Sequence, residues 1–108
     1  IWVVYTMAER LKLHQELCEL LGSKNVYFDP PENIKLKYPC FIYSKESPVT
    51  RSANNKMYFY MDSYNLIYID ANPDNDMTKR IFSRFSYVRS GSSYVSDNLH
   101  HYVFDIYY

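Results

Sequence analysis

Ser96–Tyr108 closes the chain as SDNLHHYVFDIYY, and the reading of this stretch decides the fold. Tyr102, Phe104, Ile106 and Tyr108 alternate with Val103, Asp105 and Tyr107. A period of two is that of a β-strand, so one set enters a core and the other meets solvent or another subunit. The same geometry argues against a metal site. Neighbours on a strand point to opposite faces, so His100 and His101 cannot share an ion without a kink. His101 and Asp105 lie about 13 Å apart at ~3.3 Å per residue. His14 is the remaining histidine and sits in a helical pattern, so a three-ligand zinc site needs an acidic partner that no spacing supplies. The stretch reads as a terminal strand, preceded by a turn at Asp97 and Asn98.

Working back from it, a turn at Ser90–Ser92 around Gly91 is expected to separate two short β segments. NPDNDMTKRIFSRF reads as a helix: Asn72 caps, Pro73 suits the first turn, and Asp74 and Asp76 favour the positive helix end. Met77, Ile81 and Phe85 form its apolar stripe, flanked by Arg80 and Arg84. Met57–Ile69 reads as a long strand broken or bulged near Asp62 and Ser63, with Leu66 and Tyr68 on one side and Ile67 and Ile69 on the other. The polar segment 44–55, SKESPVTRSANN, reads as a loop or an extended hairpin arm. Before it, Cys40–Tyr43 is a continuous apolar run expected to form a central strand. Pro30, Pro31 and Pro39 exclude helix, and Ile34, Leu36 and Tyr38 alternate with Lys35 and Lys37 as in a short strand or extended loop.

TMAERLKLHQELCELLGSKN carries the marks of an amphipathic helix. Thr6 and Glu9 match a capping box, Met7, Leu11, Cys18 and Leu21 recur at three-to-four spacing, and Gly22 supplies a left-handed stop. Leu13, Leu17 and Leu20 widen the stripe, as in a helix lying against a sheet. If Met7 is instead the natural start, the box is fortuitous and residues 1–6 are a loose extension or pair with a neighbour. The expected fold class is α+β: one domain spanning residues 1–108, a mainly antiparallel sheet packed by two α-helices.

Composition bounds the function. The chain has 108 residues, 12 basic and 12 acidic, so no broad field attracts nucleic acid or an anionic membrane, and self-repulsion does not oppose association. With 13 Tyr, 6 Phe and 2 Gly, the rings suit either a ring-rich β core or surfaces covered on assembly, and a Gly-rich phosphate loop has no room. Cys18 and Cys40 have no metal or redox spacing and read as buried thiols, pointing to a reducing compartment. The opening IWVVYT is too short for a signal peptide's apolar region, and no run approaches the ~18 apolar residues of a membrane span, so a soluble, unexported protein is expected. No nucleophile motif occurs, no spacing singles out a pair of carboxylates, and NPDND lacks the central glycine and closing glutamate of a calcium loop. Lys35, Lys37, Lys45 and Arg51 interleaved with Tyr38, Phe41 and Tyr43 sketch a base-stacking platform or peptide-binding sheet, the rival to an assembly role.

LGSKNVYF, PPENIKLKYPC, DANPDND and YVSDNLHHYVFDIYY, which together span most of the chain from about Leu11 onward, resemble a family of small neck and tail-completion proteins of long-tailed bacteriophages. The resemblance implies a tail terminator, or an adjacent head-tail connector or head-closure component. Such proteins pack a sheet with helices and assemble as a homo-oligomeric ring, commonly of six copies. The ring caps the tail tube and joins it to the head connector. On this view the chain is a virion protein of the neck, assembled in the host cytoplasm. Its partners are copies of itself, the tail tube protein and the connector or head-closure protein, with DNA passing through the ring lumen without sequence-specific binding. Neither catalytic residue, metal nor cofactor is implied. Arg51, Tyr58, Tyr60, Arg80, Arg84 and Tyr107 are the expected subunit-interface residues, with solvated surface the alternative for the arginines. The segment IWVVYT departs from the family pattern.

Overall fold

The computed structural model describes residues 2–46 and 62–108. Its elements run α1 (Trp2–Leu21), β1 (Val26–Phe28), β2 (Cys40–Lys45), β3 (Ser63–Asp70), α2 (Met77–Arg84), β4 (Val88–Ser96) and β5 (Leu99–Tyr107). The five strands form one sheet in the order β1-β2-β3-β5-β4. β1 and β2 are parallel and the remaining neighbours antiparallel, so the fold is α+β with a mainly antiparallel sheet and two helices. The chain's last strand lies inside the sheet. Ser63–Asp70 pairs along its whole length with His100–Tyr107, and β4 joins the sheet through β5.

The alternation expected for the closing stretch sets the core. Phe104 and Ile106 are buried, and their cross-strand neighbours Leu66 and Tyr64 share that face with Phe41 and Tyr43 of β2 and Val26 of β1. Onto it α1 places Leu13 and Leu17, four apart, and α2 places Met77, Ile81 and Phe85. Gly22, at φ +80, ends α1 by turning its N–H onto the Cys18 carbonyl at 2.8 Å. The opposite face carries Ile42, Ile67 and Val103, all half-buried, with Cys40 and Ile69 fully covered. Neither helix packs there.

Several expectations are corrected. The helix begins at Trp2, so Thr6 is interior, the capping box is not the start, and residues 2–6 are not a loose extension. Once nucleated, a helix adds a hydrogen bond for each residue fixed, which carries it through moderate helix formers. Leu11 is exposed, so the buried stripe runs through Leu13 and Leu17. α2 begins at Met77, not near Asn72. The preceding acids and amides form side-chain turns instead: Asn72 N–H donates to Asp70 Oδ1 (2.9 Å), Asp74 N–H to Asn72 Oδ1 (3.0 Å) and Met77 N–H to Asn75 Oδ1 (3.2 Å). Residues 30–39 form a loop, the second of the two readings given for Ile34–Tyr38. β1 was not anticipated. Asp62 and Tyr108 exchange main-chain hydrogen bonds in register with β3, so no break separates Asp62 from Ser63. Ser44 and Lys45 belong to β2, and the remainder of the polar arm from residue 47, with residues 57–61 of the expected long strand, lies outside the described residues.

Phe104 and Phe82 meet edge to face at 6.2 Å, yet Phe104 is 1% exposed and Phe82 44%. Truncating the buried ring leaves a cavity; truncating the exposed one does not. Phe104→Ala is expected to lower the unfolding free energy in urea by about 3–5 kcal/mol, and Phe82→Ala by less than about 1.5 kcal/mol.

Candidate assembly surface

The β4–β5 hairpin turns at Asp97 and Asn98, whose φ values of 54° and 62° are those of a two-residue turn matched to strand twist. Ser96 pairs with Leu99, Val95 with His100, Tyr94 with His101 and Ser93 with Tyr102. The register then shifts between Ser90 and Ser93, so the turn expected at Ser90–Ser92 is a β-bulge within one continuous strand. Gly91 fits the bulge because a Cβ there would meet the Val103 carbonyl oxygen at 3.3 Å.

β4 is the sheet's outer strand, and every residue from Arg89 to Ser96 is exposed, Tyr94 by 48% and Val95 by 62%. The strand lies beyond the reach of both helices. Arg89 is paired with Asp105 at 3.1 Å, and Ser90–Ser96 carries neither charge nor proline. Charge and proline are the usual means by which an edge strand repels another. Apart from its bulge, this edge is open among the described residues. On the face away from the helices, the Tyr94 and His101 rings stack at 4.6 Å and 11°, and His101 Nδ1–H donates to the Leu99 carbonyl at 3.1 Å. His100 faces the other way, beside Tyr102.

Of the interface residues expected from the sequence, Arg80 and Arg84 belong to α2 and Tyr107 to β5. Arg51, Tyr58 and Tyr60 fall outside the described residues. Arg80 donates to the Leu20 carbonyl at 2.5 Å, capping the end of α1. Arg84 binds Glu16 at 2.9 Å and Glu19 at 3.0 Å. Both arginines therefore tie α2 to α1 within the chain. Tyr107 lines a shallow groove of about 380 Å3 with Lys12, Arg84, Phe85 and Tyr87. The rings proposed for base stacking do not form a platform, because Phe41 and Tyr43 are buried beneath the helices. The signal for β4 was the uncharged run SGSSYVS before the Asp-Asn turn; its position at the edge depends on strand order, which the run does not encode.

Comparison of the chain with family models, curated proteins and solved structures returns no match. Among the described residues no group of three His, Cys, Asp or Glu side chains is placed to hold a metal ion, and no helix is long and apolar enough to cross a membrane. Burial pushes the Cys40 thiol up to about 11 and raises Cys18 as well, so neither is a ready thiolate. On the outer face Ser63 Oγ donates to Glu46 at 3.1 Å; burial, with the Asp105 carboxyl beside it, raises the Glu46 carboxyl.

A polar latch docks α1. Arg10 lies 4.4 Å over the Phe28 ring and donates to the buried Tyr43 hydroxyl at 3.1 Å, which in turn donates to His14 Nδ1 at 2.8 Å. That chain of donors requires an unprotonated Nδ1. Burial and then Arg10 lower the His14 pKa below its ordinary 6.5. Below that value the unfolded chain binds more protons than the folded one, so the latch's contribution is full above about pH 6.5 and is lost progressively as pH falls. In urea titrations from about pH 7.5 to about pH 5, the stability advantage of the wild type over His14→Asn, whose amide oxygen accepts at any pH, is expected to shrink. A constant difference would rule the latch out.

Proposed function

We infer that this chain is a structural component of the neck of a long-tailed bacteriophage. It acts as a tail terminator-like protein that assembles with copies of itself into a ring, caps the tail tube and presents the surface joined by the head connector. Six copies is the number the resemblance favours, with DNA passing through the lumen. The observation that carries the reading is the β4 edge, open among the described residues, held clear of both helices and free of the charges that oppose self-pairing. Such a surface suits association. The zero formal net charge agrees with it, and the resemblance of PPENIKLKYPC and YVSDNLHHYVFDIYY supplies the setting. An adjacent connector or head-closure ring uses the same physics and is the nearest alternative.

Native mass spectrometry of the purified chain, alone and with tail tubes of its phage, tests this. The expected outcome is a discrete ring-sized oligomer, or binding confined to tube ends. A chain that stays monomeric in both settings, or one that shifts only with single-stranded nucleic acid, overturns the reading.

A further inference from the structure

The sheet has two edges, and their directions are fixed by its pairings. β1 runs parallel to β2, and three antiparallel steps lead from β2 through β3 and β5 to β4, so β4 is antiparallel to β1. A β4 edge can therefore meet the β1 edge of another copy in an antiparallel ladder without inverting either sheet.

The outward main-chain groups match except at the Val26 N–H, which is already bonded within the chain. Hydrogen bonds from Phe41 N–H to the Asn25 carbonyl (3.0 Å) and from Asp29 N–H to the Tyr43 carbonyl (3.1 Å) turn Asn25 and Asp29 toward β2. Alternation turns Val26 and Phe28 outward, with the Val26 N–H held by the Lys24 carbonyl at 2.8 Å. In the hairpin, the turn bonds Ser96 to Leu99, which points Ser96 and Tyr94 at β5 and leaves Ser93 and Val95 facing outward. Val26 and Phe28 share the helix-bearing face with their partners Phe41 and Tyr43; Ser93 and Val95 share it with Tyr102 and His100. Opposed residues of a ladder lie on one face, so pairing these two sets puts the helices of both copies on the same side, as a ring with two different ends requires.

We propose that the outer edge of β4 pairs with the outer edge of β1 of a second copy, with Ser93 opposite Phe28 and Val95 opposite Val26. This rests on the assembly reading above and names its contact. The register brings Tyr94 opposite Tyr27, and it sets exposed Asp97 against exposed Lys24, an opposite-charge pair where the ladder ends. Pairing of β4 with another β4 offers no such charge match, and its two-fold symmetry would give the assembly identical ends.

The test uses the full chain with Cys18→Ser. Mild oxidation of the Tyr27→Cys/Tyr94→Cys variant is expected to give a series of covalent multimers, and neither single variant to give any. Val95→Pro, which removes an outward N–H and leaves the bonds to β5 in place, is expected to reduce the oligomer to monomer with unchanged circular dichroism. Covalent dimers from Tyr94→Cys alone overturn the contact, as does an oligomer that survives Val95→Pro and yields no cross-links; both leave the assembly reading standing. A wild-type chain that remains monomeric at every concentration, both alone and with tail tubes, overturns both.

Discussion

The pairing of β5 with β3 is the constraint on which the rest depends. It places β5 in the interior of the sheet, so the core face is complete only when that strand is in position. Phe104 and Ile106 then supply the floor on which α2 rests, and Tyr108, whose hydroxyl donates to Glu16, pins the end of the strand to α1. Glu16 in turn holds Arg84, so one carboxylate links the final residue to both helices. Among the described residues β4 pairs with β5 alone, and only Val88 at its start packs against the core. Its exposure follows from that: two helices docked over the rest of the sheet do not reach a strand added outside its last buried row.

An edge strand of this kind costs the isolated molecule little. Its outward N–H and C=O groups are hydrogen-bonded to water, and exchanging water for another chain gains only about 0.5–1.5 kcal/mol per bond. A single short ladder is therefore weak. In a closed ring each copy makes the contact twice, and the last contact forms within an assembly already held together, so closure adds stability without enlarging any one interface. The uncharged run matters because like charges facing each other would remove even this small gain.

Much of the core was legible because it is periodic. Alternation across Tyr102–Tyr108 and the four-residue spacing of Met77, Ile81 and Phe85 are local patterns that tertiary packing preserved. What was misread depends on context. A Gly flanked by serines signals a turn, yet Gly91 sits in a bulge because Val103 lies against it from the neighbouring strand. β1 spans only Val26–Phe28 and acquires strand geometry from a parallel partner reached through a long loop. Arg80 and Arg84 were expected at a subunit interface; their acceptors at Leu20, Glu16 and Glu19 are sixty or more positions earlier, and no spacing rule connects them.

The tyrosine content carries a different lesson. Tyr43, Tyr64 and Tyr68 are almost fully buried, and the hydroxyls of Tyr43 and Tyr68 are satisfied by His14 and Asp70. Tyr27 accepts from the Lys37 N–H, and Tyr102 from the Asn75 amide. These rings serve as core volume, and their hydroxyls join loops and helix to the sheet at its margins. A surplus of tyrosine therefore does not by itself mark a surface awaiting a partner. The case for association rests on main-chain groups, which are directional and evenly spaced, and whose register is set by the Asp97–Asn98 turn at one end and the Gly91 bulge at the other. Between these two fixed points only Ser93–Ser96 offers an unbroken ladder, and its length is close to that of β1, the strand at the opposite edge of the sheet.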